Sequence, residues 1–158
     1  MTKINPIVIQ DTREQAPLTI SAYPVEIATL PVGDYGVRGF SDWDCPDFIV
    51  ERKSVDDLVQ SLTHDRERFM REIQKMRQFR WAGILVEGHE DEIRCHAYRS
   101  AAHPNAVLAT LDAIVVRAGV HVIWAGSPHE AGQRLEGLVR QFVRGIEKRW
   151  KALEVNRE

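Results

Sequence analysis

The sequence predicts an α/β protein, a central mixed β-sheet flanked by α-helices. Three observations carry this. Short apolar runs of strand length, such as Ile7–Ile9, Ala82–Val86 and Val120–Trp124, recur along the chain. Between them lie longer stretches whose apolar residues return every three to four positions, the mark of helices covering a sheet. The third is size. At 158 residues, 44% hydrophobic and 28% charged, the chain suits one domain, residues 1–158, with a proper core.

The elements follow in order. Pro6–Ile9 is apolar, ends at Asp11 and reads as a first core strand. Thr12 to Ser21, with Pro17, reads as a loop. Val25 to Leu30 alternates and reads as a second strand. Val32–Gly39 and Asp47–Lys53 read as a β-hairpin joined through FSDWDCP, a run of loop formers. Ser54 is placed to N-cap a helix carrying Val55, Leu58, Val59 and Leu62. A second helix is expected over Asp65–Phe79, with Phe69, Ile73 and Met76 as its apolar stripe. Ala82–Glu87 is continuously apolar and reads as a central strand. Pro104–Ala118 reads as a helix with Val107, Leu108, Leu111, Ile114 and Val115 inward and Gly119 as its C-cap. Val120–Trp124 reads as a buried strand. Pro128–Ala152 reads as a long last helix with a stripe from Leu135 to Trp150.

The hairpin gathers chemistry. If Gly39 faces Phe48, the ladder sets Asp34 opposite Lys53, and strand alternation turns Glu51 and Lys53 to one face. Two carboxylates form a hard-oxygen site for Mg²⁺, with Mn²⁺ as substitute. A lysine beside them can hold a water or a phosphate oxygen. That set suits metal-assisted phosphodiester hydrolysis. A one-residue slip would dismantle it.

The longer pattern is more specific. Gly33-Asp34-Tyr35, then Glu51-Arg52-Lys53, then Asp57 fits G-D-x(n)-E-R-K-x-x-x-D. Upstream lies Ile9-Gln10-Asp11-Thr12-Arg13-Glu14, and downstream Asp57-Leu58-Val59-Gln60-Ser61-Leu62 and Ile84-Leu85-Val86-Glu87-Gly88. This set, in this order, resembles the XPF-type (ERCC-four-type) nuclease domain of the PD-(D/E)xK restriction-endonuclease-like superfamily. The resemblance implies a metal-dependent endonuclease acting on branched or nicked DNA in repair or recombination. It implies Asp34 and Glu51 as metal ligands, joined by Asp11 directly or through water, and Lys53 acting on the attacking water. Arg52 belongs to the same motif, contacting a phosphate or bracing Glu14 or Asp57. Arg13 and Glu14, with Asp57, support these groups from behind. The family also includes inactive partner subunits that have lost the acidic residues retained here. A non-catalytic DNA-binding module and a restriction-like nuclease are therefore the rival readings. Eukaryotic relatives carry a tandem helix-hairpin-helix domain, and this sequence shows none, so its DNA preference stays open. Relatives dimerise, and the last helix, left uncovered around Ile146–Leu153, is expected to make a homodimer.

Arg66, Arg68 and Arg71 give the second helix a positive excess suited to DNA phosphates, although charge runs are often only solvated faces. A net charge of −2 argues mildly against tight non-specific DNA binding. Cys45 and Cys95 form no CxxC and are expected as thiols in a cytoplasmic, bacterial or phage-like and nucleoid-associated setting. His89, Cys95, His96 and His103 fit no zinc ligand spacing. His64 follows the first helix, where a proton shuttle or a plain surface histidine would fit. No phosphate-binding glycine loop suggests a nucleotide cofactor, and no apolar run approaches membrane-span length.

Overall fold

The protein is represented by a computed structural model in which residues 3–155 are described. The apolar runs become β1 (Val8–Asp11), β2 (Val25–Ala28), β3 (Tyr35–Val37), β4 (Phe48–Ser54), β5 (Trp81–Glu87) and β6 (His121–Trp124). They form one mixed sheet in the order β2-β1-β3-β4-β5-β6. β1 runs antiparallel to β3, and β3 antiparallel to β4. The outer pairs β1–β2, β4–β5 and β5–β6 are parallel. β5 is therefore hydrogen-bonded on both sides, which explains its uninterrupted apolar run.

The helices are α1 (Val55–Leu62), α2 (Arg66–Met76), α3 (Glu90–Arg94), α4 (Pro104–Ala113) and α5 (Pro128–Val155). Ser54 caps α1 as expected, its hydroxyl accepting the Asp57 N–H at 3.1 Å. β4 passes into α1 without a loop, so the cap also ends the strand. Leu58, Val59, Phe69, Ile73 and Met76 pack α1 and α2 onto one sheet face with Ile9, Ile49 and Ile84. On the other face, α5 packs Leu135, Val139 and Val143 against Val8, Tyr35, Val50 and Leu85. Alternation along the strands sorts the residues between these two cores.

Four expectations are corrected. The hairpin pairs Tyr35 with Val50, so Asp34 falls level with Glu51 and not with Lys53. The shift is two residues, set by the turn after Val37, and an even shift keeps every side chain on its face. β6 is an edge strand, exposed at His121 and half-buried beyond it. Val115 lies outside the core at 41% exposure. It sits in a π-helical turn, Ile114–Ala118, whose wider winding breaks the helical period after Ile114. Ile146 is buried, so the uncovered part of α5 begins at Trp150, which is 49% exposed. The short helix α3 carries too few apolar residues to announce itself. Among the described residues, no helix is long and apolar enough to cross a membrane.

Candidate active site

The centre is built where the loop before β3 crosses β4. Gly33 takes a left-handed φ of +78°, and a Cβ there would lie 2.8 Å from Ile49 Cγ1 and 2.9 Å from the Val50 oxygen. Only glycine lets the loop come down onto the strand. Asp34 is then fixed three ways. Its N–H donates to the Val50 carbonyl at 2.9 Å, and its carbonyl accepts the Asp11 N–H at 2.8 Å. Its Oδ2 accepts the Arg52 N–H at 2.8 Å. Glu51 stands beside it on β4, only 8% exposed. Lys53, two residues on and on the same face, brings Nζ to 3.5 Å from Glu51 Oε1. The ammonium also sits 5.2 Å from the Phe69 ring centroid, a cation–π contact that anchors it to α2.

The electrostatics are unbalanced. Burial, then the neighbouring Asp34 charge, push the Glu51 carboxyl well above its ordinary range, and Lys53 offsets only part of this. Burial also raises Asp34, against the Arg52 N–H that favours its charged form, with Glu14 adding repulsion. Two adjacent, poorly solvated carboxylates could hold a hard divalent cation between them, and among the described residues no third His, Cys, Asp or Glu joins them. The donor set thus fits Mg²⁺ or Mn²⁺. Two clefts meet at this pair. One, of about 240 Å³, is also lined by Arg13, Glu72 and Lys75. The other, of about 300 Å³, is lined by Glu14, Arg52, Lys53, Asp57 and Glu87.

The remaining expected residues divide. Asp11 is 1% exposed and lines neither cleft. Its oxygens accept the Arg13 N–H at 2.9 Å, Arg13 Nε at 2.7 Å, Arg13 Nη2 at 3.2 Å and the Leu30 N–H at 2.9 Å. Burial opposes its charge, but these bonds outweigh that and hold its carboxyl below the usual range. Asp11 is thereby a clasp for the Asp34 loop, with Arg13 as its partner. Arg52 turns to the other side of β4. It pairs with Glu14 at 3.2 Å and with Glu87, and donates to the Ala16 carbonyl. Of the partners open to Arg52 in the sequence, Glu14 is the one it pairs with here, and Glu87 is a partner the sequence reading missed. Asp57 reaches the cleft rim.

The α2 arginines do not share one face. At about 100° per residue, Arg68 falls on the flank of Glu72 and Lys75, toward the carboxylates, while Arg66 falls on the far flank. Arg68 pairs with Asp65 at 3.3 Å. Arg66 leans on Thr110 of α4 at 3.3 Å, and lines an open hollow with His64, Glu67 and Arg71. Glu72 and Lys75 were not anticipated as cleft residues. Their three-residue spacing places them together on a helix, but nothing in it says which flank meets the site. Of the histidines near Cys95, His103 caps α4 through its ring nitrogen, and His96 stacks on Tyr98.

A family model described as "ERCC4 domain" matches residues 10–138. No curated protein matches the chain by sequence. Among solved structures, "XPF from Aeropyrum pernix" superposes with a TM-score of 0.69 at 24% identity, over 86% of this chain and 61% of that one. "XPF from Aeropyrum pernix, complex with DNA" gives 0.66 at 22%, over 89% and 66%. The present chain therefore spans about three fifths to two thirds of the length of these structures. Six strands in a mixed sheet with flanking helices is an XPF-like α/β fold.

Proposed function

The chain belongs to the ERCC4 domain family, and from that membership we propose that it is a divalent-metal-dependent DNA endonuclease. One observation carries the reading: Asp34, in the loop just before β3, and Glu51 on β4 are two crowded carboxylates that line the same two clefts. They would hold Mg²⁺ or Mn²⁺, which would neutralise charge at the scissile phosphate and lower the pKa of the attacking water. The rest falls to the chain. Lys53, held between Glu51 and Phe69, orients that water and stabilises charge developing on the phosphate oxygens. Arg52 braces the strand end through Glu14 and Glu87 and presents its N–H to Asp34. Asp11, with Arg13, secures the Asp34 loop. Arg68, with Lys75 beside the cleft, offers positive charge to flanking phosphates.

The substrate class is branched or nicked DNA, in repair or recombination. DNA complexed with the Aeropyrum pernix XPF supports DNA as the partner. A homodimer is part of the same reading. Past Ile146 the apolar stripe of α5 continues into Trp150 and Leu153, exposed by 49% and 63%, beyond the reach of the sheet.

The deciding assay offers flap, fork, nicked and single-stranded DNA with Mg²⁺, Mn²⁺ or EDTA. Cleavage should require the metal. Glu51→Gln and Asp34→Asn should each lower turnover at least about a thousandfold, a barrier rise of about 4 kcal/mol. Activity within about tenfold of the parent, roughly 1.4 kcal/mol, would remove these residues from the site.

A further inference from the structure

We propose that the outward face of α5 is a second contact for the DNA backbone, on the opposite side of the sheet from the active centre, and that it takes the other arm of a branched substrate. This rests on the DNA-nuclease reading and extends it.

Charge is concentrated there. From Arg140 to Lys151 the helix carries Arg140, Arg144, Lys148, Arg149 and Lys151 against Glu147 alone, in a chain whose net charge is −2. At about 100° per residue, Arg140, Arg144, Lys148 and Lys151 fall within about 80° of one another. All four are exposed. Among the described residues none of them has an ion-pair partner.

Two acids beside the stripe, Glu136 and Glu147, are turned to the fold. Glu136 Oε1 accepts the N–H groups of Ser21 at 2.7 Å and Ala22 at 3.1 Å. Glu147 Oε1 accepts the Ile4 N–H at 3.0 Å. Backbone amides hold these carboxylates against the fold, so the cations are left unmatched. An ordinary solvated helix interleaves charges that answer each other. Favourable interaction with the helix dipole is confined to the last turn, and Arg144 and Arg140 lie about two and three turns before it. Beside these two arginines opens a hollow of about 420 Å³ to which Lys3 adds a third cation and Tyr23 a ring, with Glu147 as the one acid on its lining.

The geometry selects a long polyanion. From Arg140 to Lys151 the helix rises about 16 Å, close to five base-pair steps at about 3.4 Å each. Glu51 and Lys53 share the sheet face of Ile49, under α1 and α2. α5 covers the face of Val50 and Leu85. A straight duplex cannot lie along both faces, whereas two diverging arms can.

The test uses the full chain in EDTA, a forked DNA with arms of about 20 base pairs, and a linear duplex of the same length, each across a salt series. Arg140→Gln with Arg144→Gln and Lys148→Gln should weaken fork binding at least tenfold. It should flatten the log–log salt slope by about 2.7, at about 0.9 per lost phosphate contact. Linear-duplex binding should move less than about threefold. Arg140→Lys with Arg144→Lys should bind the fork like the parent. Melting temperatures within about 2 °C of the parent establish folded variants. Fork binding unchanged, or fork and duplex weakened equally, overturns the proposal. So does loss of capture by phosphatidylserine vesicles with DNA binding intact, which would give the stripe to a lipid surface. A parent that cuts no DNA in Mg²⁺ or Mn²⁺ yet shows the stripe-dependent fork preference sinks the nuclease reading alone.

Discussion

At the scale of single residues, the centre is defined by charge held where it is costly. Glu51 binds its proton more tightly in the folded chain than in the unfolded one. In the absence of metal its contribution therefore favours folding at low pH. That contribution fades as pH rises from the ordinary carboxylate range near 4 toward its raised value. The melting temperature of metal-free parent should fall between about pH 5.5 and pH 8 more steeply than that of Glu51→Gln. Millimolar Mg²⁺ should restore the parent at the upper pH and leave the variant unmoved. Equal slopes in a pH series of calorimetric scans would mean that Glu51 titrates normally. Lys53 makes a separable prediction. It touches Glu51 and the Phe69 ring, so Lys53→Met should lower turnover by about two to three orders of magnitude while Mn²⁺ affinity stays within a few fold. A calorimetric Mn²⁺ titration that shows affinity collapsing would make Lys53 an organiser of the carboxylates.

At the scale of elements, α2 is the instructive case. Its buried stripe of Phe69, Ile73 and Met76 was legible in the spacing, and so was the capping Ser54 that starts α1. Both are local patterns of sequence. The hairpin register was not, because a ten-residue turn region from Arg38 to Asp47 sets the pairing and its length says nothing of its path. Asp34, Glu51 and Lys53 still share a face because the miss was an even number of residues. Partners far apart in sequence were equally hidden, as with Arg52 and Glu87. The division of the α2 arginines has a measurable consequence. Arg68→Gln should flatten the salt dependence of DNA binding by about 0.9 log unit of slope, since the exposed Arg68 lies on the cleft flank and half-buried Asp65 is its ion-pair partner. Arg66→Gln, turned toward Thr110, should change it little. Identical slopes for both variants, read from binding isotherms, would return the whole helix to solvent.

At the scale of the molecule, the two cores of the sheet separate tasks. Glu51 and Lys53 stand on the α1 and α2 side, while α5 carries the exposed stripe and the apolar end. Sedimentation equilibrium at tens of micromolar should find the parent near twice its 18.1 kDa chain mass. Trp150→Glu with Leu153→Glu should run as a monomer, and a monomeric parent would leave that end of α5 without a second copy. The arginine strut has a different kind of consequence. Arg52 joins the loop at Glu14 and Ala16 to β4 and to the end of β5, three segments that sequence keeps far apart. Its side chain is 15% exposed, and its partners Glu14 and Glu87 are 10% and 9% exposed. Cutting it strands two acids, at a cost of about 3–5 kcal/mol. These segments should accordingly open together in the native ensemble. Their slow amides should exchange at one common rate, and Arg52→Met should speed that exchange at residues 14–16 and 87 while α5 keeps its protection.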